Sequence, residues 1–140
     1  MCDCNAETER VKRFLKRYRK NRELIARLKS RVAEYDERIT SLRASTISDM
    51  PKGGTPITKE ELVDEKIETE TRIRRLEEKG KIIRAEILEK IDDLEDVKQA
   101  DILEAFCIEC LDIPDIAEDK GYSERHVIKI YSNAIKNITL

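Results

Sequence analysis

Hydrophobic residues recur at alternating spacings of three and four from about residue 6 to residue 44. One position of this seven-residue repeat holds Val11, Tyr18, Ile25, Val32 and Ile39, and the other holds Phe14, Leu28, Tyr35 and Leu42. Such a repeat predicts a long coiled-coil helix. Asn21 occupies the remaining site of the stripe, where a single buried Asn fixes the register of two helices at some cost in stability. We therefore assign Asn21 a structural role.

The repeat stops at residues 45–57, which contain two prolines flanking a Gly-Gly pair. Neither a helix nor a strand can run through such a segment, so we predict a linker there. Thr58 and Glu61 then form a capping box that starts a second helix. Its apolar stripe comprises Leu62, Ile67, Ile73, Leu76, Ile83, Ile87, Leu94 and Val97, with Gly80 among them. Because both stripes need a partner, we predict that residues 1–97 form a long antiparallel helical hairpin, a coiled coil.

A shorter pattern in residues 98–140 predicts three helices packed as a helix-turn-helix domain. In the first of them, residues 98–110, the core positions are Ile102, Leu103, Phe106 and Cys110. The carboxylate of Asp112 is placed to cap a second helix, and Pro114 falls in its first turn, where a missing N–H costs nothing. Gly121 suits the left-handed residue that ends a helix. The predicted fold is therefore all-α, a hairpin followed by a trihelical domain.

Ser123 is placed to cap the last helix, which has one apolar and one polar face. The apolar face holds Val127, Ile130, Tyr131, Ala134 and Ile138. The opposite face holds Glu124, Arg125, His126, Lys129, Ser132, Asn133 and Lys136, which can donate or accept hydrogen bonds at a base edge or a phosphate. This pattern predicts a DNA-binding surface. The alternative interpretation of these residues is a charged surface on a small trihelical interaction domain.

Residues 115–127, Asp-Ile-Ala-Glu-Asp-Lys-Gly-Tyr-Ser-Glu-Arg-His-Val, resemble the helix-turn-helix of sigma-70 region 4. The form is similar to that in phage and prophage regulators of the ArpU/RinA kind, which activate late phage genes and also carry a charged helical segment broken by a linker like Met50-Pro51-Lys52-Gly53 here. The resemblance implies a transcription regulator with double-stranded DNA and RNA polymerase as partners, located in the cytoplasm of a bacterial host at its nucleoid. Ile113 departs from the pattern, because relatives often place Trp there.

By position in the last helix, three residues are candidates to read base edges in the major groove: Arg125, His126 and Lys129. Glu124 could accept a hydrogen bond from a cytosine amine, and Ser123 and Lys136 are better placed to hold phosphates. Asn133 belongs to the same polar face. These seven residues form the candidate DNA-binding site.

Charge is unevenly distributed along the chain. The net charge is only −2, yet residues 1–44 carry 13 Lys+Arg against 7 Asp+Glu, and residues 98–140 carry 5 against 8. An unbroken basic run comprises Arg10, Lys12, Arg13, Lys16, Arg17, Arg19, Lys20 and Arg22. We assign phosphate contact to Arg13, Lys16, Arg17 and Lys20, since cations bind phosphates whichever element supplies them. The alternative interpretation of the basic run is a solvated helix face. The predicted hairpin would bring this run beside the helix-turn-helix.

Four cysteines, Cys2, Cys4, Cys107 and Cys110, could supply thiolates to a metal. Cys-x-Cys is an atypical zinc spacing, and cysteines three apart on an amphipathic helix are more often small core residues, so we expect neither a metal nor another cofactor. The sequence contains no apolar run of the ~20 residues that span a bilayer and no signal peptide, which predicts a cytoplasmic protein.

An enzyme is not expected. The chain has one His, no Gly-rich phosphate loop and no Ser–His or Cys–His pair that could be placed in a cleft. The composition, 41% charged and 4% aromatic, favours long solvated helices over a large globular core. The alternative to a DNA-binding regulator is thus a coiled-coil interaction or scaffold protein with a C-terminal docking domain. The long apolar stripes also leave a homodimer open.

Overall fold

The structure, a computed structural model, describes residues 3–44 and 58–140, with side chains for residues 5–42 and 58–140. These residues form five α-helices: α1 (Asp3–Ala44), α2 (Lys59–Asp92), α3 (Val97–Cys107), α4 (Ile113–Lys120) and α5 (Glu124–Asn137). The predicted linker at 45–57, Cys2 and the side chain of Cys4 lie outside the described residues. The prediction of an all-α fold with a helical hairpin and three further helices is confirmed.

α1 and α2 form a long antiparallel hairpin. The predicted capping box starts α2: the N–H of Glu61 donates to Thr58 Oγ1, and the N–H of Thr58 donates to the Glu61 carboxylate, each over 3.2 Å. Leu28 and Ile73 are both buried in one apolar cluster, which is the pairing expected when the helices run in opposite directions.

The chain divides into two compact units, which are described separately. One unit spans residues 22–78, and its core is formed by Ile25, Leu28 and Ile73 with Leu24, Val32 and Leu76 partly buried against them. The other unit combines α1 as far as Asn21 with the chain from Lys79 to Leu140. All residues of the candidate DNA-binding site and of the candidate phosphate-contacting set belong to this second unit, which we call the terminal unit.

The main core of the terminal unit joins four helices. It contains Val11 and Leu15 of α1, Ile83, Ile87 and Ile91 of α2, Leu103 and Cys107 of α3, and Ala134, Ile135 and Ile138 from α5 and its C-cap. Leu15 is completely buried, although the predicted heptad of α1 does not include it. The heptad includes its neighbour Phe14, which is only partly buried. A helix with partners on two sides needs a wider apolar stripe than a two-helix seam, and Leu15 supplies the added width.

Two residues of the predicted α2 stripe are exposed, so that part of the prediction is wrong. Ile67 is 53% exposed and Val97 is 71% exposed. A strict heptad through α2 places Thr69, not Ile67, between Leu62 and Leu76, and Thr69 is indeed buried. Its hydroxyl donates to the carbonyl of Glu65 over 2.8 Å, which satisfies the polar group within the helix. Val97 begins α3 and does not continue α2.

Asn21 and Gly80 meet inside the hairpin, where both are buried, as their places in the two stripes predict. A Cβ atom added to Gly80 would lie 2.5 Å from Asn21 Oδ1 and 3.3 Å from its Cγ. Gly80 therefore permits the close approach that lets α2 accept the side chain of Asn21. This contact fixes the relative register of the two helices in the terminal unit.

Replacing Gly80 by alanine should lower the free energy of unfolding by about 1 kcal/mol, because overpacking costs about 2 kcal/mol and the better helix propensity of alanine returns about 1. In an Asn21→Ala background the clash is absent, so the same Gly80→Ala change should stabilise the protein by about 1 kcal/mol. Urea denaturation of the four proteins of this double-mutant cycle measures the coupling. Equal effects of Gly80→Ala in both backgrounds would contradict the close approach.

Candidate nucleic-acid interface

The three C-terminal helices pack on one another around a second apolar cluster. It contains Ile102 and Ala105 of α3, Ile116 and Ala117 of α4, and Val127 of α5. Ala117 is buried, with only 5% of its surface exposed. The rings of Phe106 and Tyr131 form a T-shaped pair with centroids 5.1 Å apart, and this pair connects the cluster to the main core.

α3 ends earlier than the sequence predicts. Its last residue is Cys107, and Cys110 lies beyond it in a left-handed conformation with φ 59°. The two cysteines are therefore not on consecutive turns of one helix, and the predicted core position is wrong for Cys110, which is partly exposed. Cys107 takes the core position, and burial raises the pKa of its thiol to about 12. Within residues 5–42 and 58–140, no three His, Cys, Asp or Glu residues are grouped as metal ligands would be.

Arg19 holds the segment that joins α3 to α4. Its Nη1 donates to the carbonyls of Phe106 (2.9 Å) and Leu111 (3.0 Å), and its Nη2 donates to Asp112 Oδ1 over 3.0 Å. The guanidinium carbon also lies 4.3 Å from the centre of the Phe106 ring, a cation–π distance. The side chain of Arg19 is only 18% exposed. Arg19 thus joins α1 to the start of the helix-turn-helix, and its charge is directed inward.

Asp112 begins α4, but its side chain does not cap the helix as predicted. Its backbone carbonyl accepts the N–H of Ile116 over 3.0 Å, whereas its carboxylate is drawn to Arg19. The guanidinium of Arg19 adds the attraction of a full positive charge to the hydrogen bond, which a backbone N–H does not supply, and this favours Arg19 as the partner. Pro114 lies in the first turn of α4, as predicted.

A tight turn joins α4 to α5. Gly121 ends α4 with φ 73° and ψ 28°, and the N–H of Tyr122 donates to the carbonyl of Ala117 over 2.9 Å. Ser123 then caps α5, accepting the N–H of His126 on its Oγ over 3.2 Å. The predictions for Gly121 and Ser123 are both confirmed. The rings of Tyr122 and His126 meet edge to face, 4.9 Å between centroids, so the turn also positions the imidazole.

α5 buries one face and exposes the other. Val127, Ala134 and Ile135 of the helix are buried, together with its C-cap Ile138, while Ile130 and Tyr131 are partly buried. Ile135 is absent from the predicted apolar face because a single stripe does not anticipate contact with both α1 and α3. Burial raises the pKa of the Tyr131 phenol to about 12.

Every residue of the candidate DNA-binding site is exposed. This set comprises Ser123, Glu124, Arg125, His126, Lys129, Asn133 and Lys136. The neighbouring Ser132 is exposed too, and the one exposed apolar residue of α5 is Ile128. Arg125, Lys129 and Lys136 give this face three cations against the single carboxylate of Glu124. The adjacent α4 exposes acids at Asp115, Glu118 and Asp119 against one cation at Lys120, so it adds no net positive charge.

The basic run of α1 divides into inward and outward residues. Arg13 and Lys20 are exposed and Lys16 is partly exposed, while the Arg17 guanidinium pairs with Glu86 over 2.8 Å and keeps 39% of its side-chain surface exposed.

α1 also lies beside the end of α5. A cavity of about 460 Å³ there is lined by Glu7, Thr8, Val11, Ile135, Lys136, Ile138 and Thr139.

No family model, no curated protein and no solved structure matches the chain. No helix in the described parts of the chain combines the length and the apolarity needed to cross a membrane.

Proposed function

We propose that the protein is a sequence-specific, double-stranded-DNA-binding transcription regulator of phage type, an activator of late genes. The observation that carries the proposal is the presentation of α5. A left-handed glycine and a capping serine start the helix at a fixed point, and a buried apolar face holds it. Its other face is exposed and polar from the first turn onward. A helix presented in this way fits the major groove of B-DNA.

The first three turns of α5 carry the base-reading residues of this proposal. Arg125 offers the forked guanidinium that pairs with guanine O6 and N7, and Lys129 extends from the next turn of the same face. His126, held against Tyr122, offers a ring nitrogen to a base edge or a phosphate. Asn133 can pair with adenine N6 and N7, and Glu124 can accept from cytosine N4.

Phosphate contacts come from the ends of α5 and from α1. Ser123 and Lys136 stand at the two ends of the exposed face. The first half of α1 shares an apolar core with α5 through Val11 and Leu15. The outward cations of α1 are therefore carried by a helix that packs directly on the reading helix. Arg13, Lys16, Arg17 and Lys20 add positive charge that the acidic C-terminal segment lacks. Each phosphate that they neutralise releases counterions and strengthens binding without regard to sequence.

A selection of bound sequences from a random duplex library tests the proposal, and enrichment of one motif is the expected result. Replacing Arg125 by alanine should then cost about 1–3 kcal/mol of specific binding and relax the preference at one or two base pairs. Non-specific affinity should change little. Arg84→Ala, an exposed arginine on α2, is the matched control and should leave the motif unchanged.

Neutralising Arg13, Lys16 and Lys20 together should weaken binding to all duplexes alike and flatten its dependence on salt concentration, because phosphate contacts carry no sequence information. Arg17 is kept in this variant because its pair with Glu86 also contributes to the hairpin. Circular dichroism must show that the variant is as helical as the parent. A wild type that binds no duplex more tightly than random DNA at low salt would contradict the proposal.

The second candidate function is a coiled-coil interaction or scaffold protein. The observation that favours it is the unit spanning residues 22–78, which has its own apolar core and carries none of the candidate DNA-contacting residues. In a regulator this unit is available to a protein partner such as RNA polymerase or a second copy of the chain. Failure of the selection together with binding of purified polymerase would favour this second function.

A further inference from the structure

Ile128 is an apolar residue on a polar surface. It lies in the second turn of α5 and is 51% exposed, although Val127 beside it is completely buried. Arg125 precedes it by three residues and Ser132 follows it by four, so these three side chains are neighbours on the helix surface. The other exposed isoleucines of the described residues, Ile67 and Ile82, belong to α2.

A single exposed isoleucine is common on protein surfaces, so its exposure alone assigns nothing. The position of Ile128 on the reading helix is more informative than its exposure. The major groove presents hydrogen-bonding groups at every base pair but only one apolar group, the C5-methyl of thymine. An isoleucine in the second turn of a reading helix, between a base-reading arginine and a serine, faces the edge where that methyl lies.

We infer that Ile128 reads the C5-methyl group of a thymine and fixes one T·A pair in the bound sequence. The inference rests on the proposed DNA-binding function and names one base pair within its target. The aliphatic side chain and the methyl group remove each other from water when α5 enters the groove, which favours thymine by the hydrophobic effect. A cytosine at the same place would present an amine to Ile128 without a partner.

Deoxyuridine substitution tests this contact because it removes only the methyl and keeps the base pairing and the O4 acceptor. Each thymine of the selected site is replaced in turn, and affinity is measured by fluorescence anisotropy. At one thymine we expect a loss of about fourfold in affinity for the wild type, the factor that burial of one methyl group gives. With Ile128→Ala the same substitution should have no effect. Ile82→Ala, which shortens another exposed isoleucine, should retain the wild-type loss.

The possible failures are distinguishable. If the selection yields no motif, the proposed function itself is overturned, and this inference with it. If a motif appears but contains no fixed thymine, or no deoxyuridine weakens wild-type binding, only the role of Ile128 is overturned. The same holds if Ile128→Ala keeps the full deoxyuridine penalty. A penalty at one thymine that disappears in Ile128→Ala supports the assignment.

Discussion

Replacing Arg19 by methionine should lower the free energy of unfolding by about 3 kcal/mol, the largest expected effect of any substitution of a basic residue of α1. Methionine keeps much of the aliphatic length but removes the guanidinium that binds the carbonyls of Phe106 and Leu111. The Phe106 carbonyl belongs to the last turn of α3 and the Leu111 carbonyl to the segment between α3 and α4. Losing a charged donor leaves these partly buried acceptors without their partner. The carboxylate of Asp112 would also lose its ion pair, although that contribution is smaller because the carboxylate is largely exposed.

Chemical denaturation followed by circular dichroism measures this effect, and Lys20→Met is the matched control. Lys20 is exposed on the next position of α1, so its replacement should change stability by less than about 0.5 kcal/mol. The loss of stability for Arg19→Lys should fall between those for Lys20→Met and Arg19→Met. An ammonium group can reach one carbonyl but lacks the planar fork that bonds several acceptors at once. An Arg19→Met protein as stable as Lys20→Met would show that the guanidinium contacts contribute nothing to the fold.

Replacing Leu15 by alanine should destabilise the protein by about 3 kcal/mol, the order expected when a buried leucine is truncated and a cavity remains. Leu15 is completely buried in the main core of the terminal unit, where α1 meets helices α2, α3 and α5. Phe14→Ala is the informative comparison. Phe14 is the larger residue but is only partly buried, so its truncation should cost about half as much.

Thermal unfolding of Leu15→Ala and Phe14→Ala, each compared with wild type, shows which substitution destabilises the protein more. A larger loss for Phe14→Ala than for Leu15→Ala would place α1 in a simple two-helix seam and contradict the four-helix core. Val32→Ala, in the unit spanning residues 22–78, is a second control for a partly buried heptad position. Its effect should be similar to that of Phe14→Ala or smaller.

Much of the fold can be predicted from local patterns. The heptads of α1 and α2 predict the hairpin, and the capping box at Thr58 and Glu61 predicts where α2 begins. Gly121 and Ser123 predict the turn before α5, because a left-handed glycine and a serine cap each satisfy backbone groups within a few residues. These signals depend on nearby atoms only, so the sequence contains them in full.

Features that depend on distant contacts were missed. Arg19 belongs to a basic run that predicts phosphate contact, and nothing in the run marks it as the one arginine that turns inward to α3 and α4. The carboxylate of Asp112 leaves its capping position for the same reason. Leu15 and Ile135 are core residues because α1, α3 and α5 meet, and a stripe counted on one helix cannot include a third neighbour.

The candidate DNA-binding surface lies between these cases. The polarity of the α5 face is a local pattern, and all seven residues assigned from it are exposed. The contribution of the structure is to show which cations of α1 point outward and which one does not.

The terminal unit combines early and late parts of the chain, which determines when it can fold during synthesis. Val11 and Leu15 leave the ribosome long before Ile135 and Ile138, with which they share a core. Contacts between such distant parts of a chain form slowly, because a long loop must close before they stabilise anything. The segment spanning residues 22–78 has its own core and can pair first. A nascent chain can therefore fold the unit spanning residues 22–78 before the terminal unit is complete, and a prematurely terminated product would expose Leu15 without its partners.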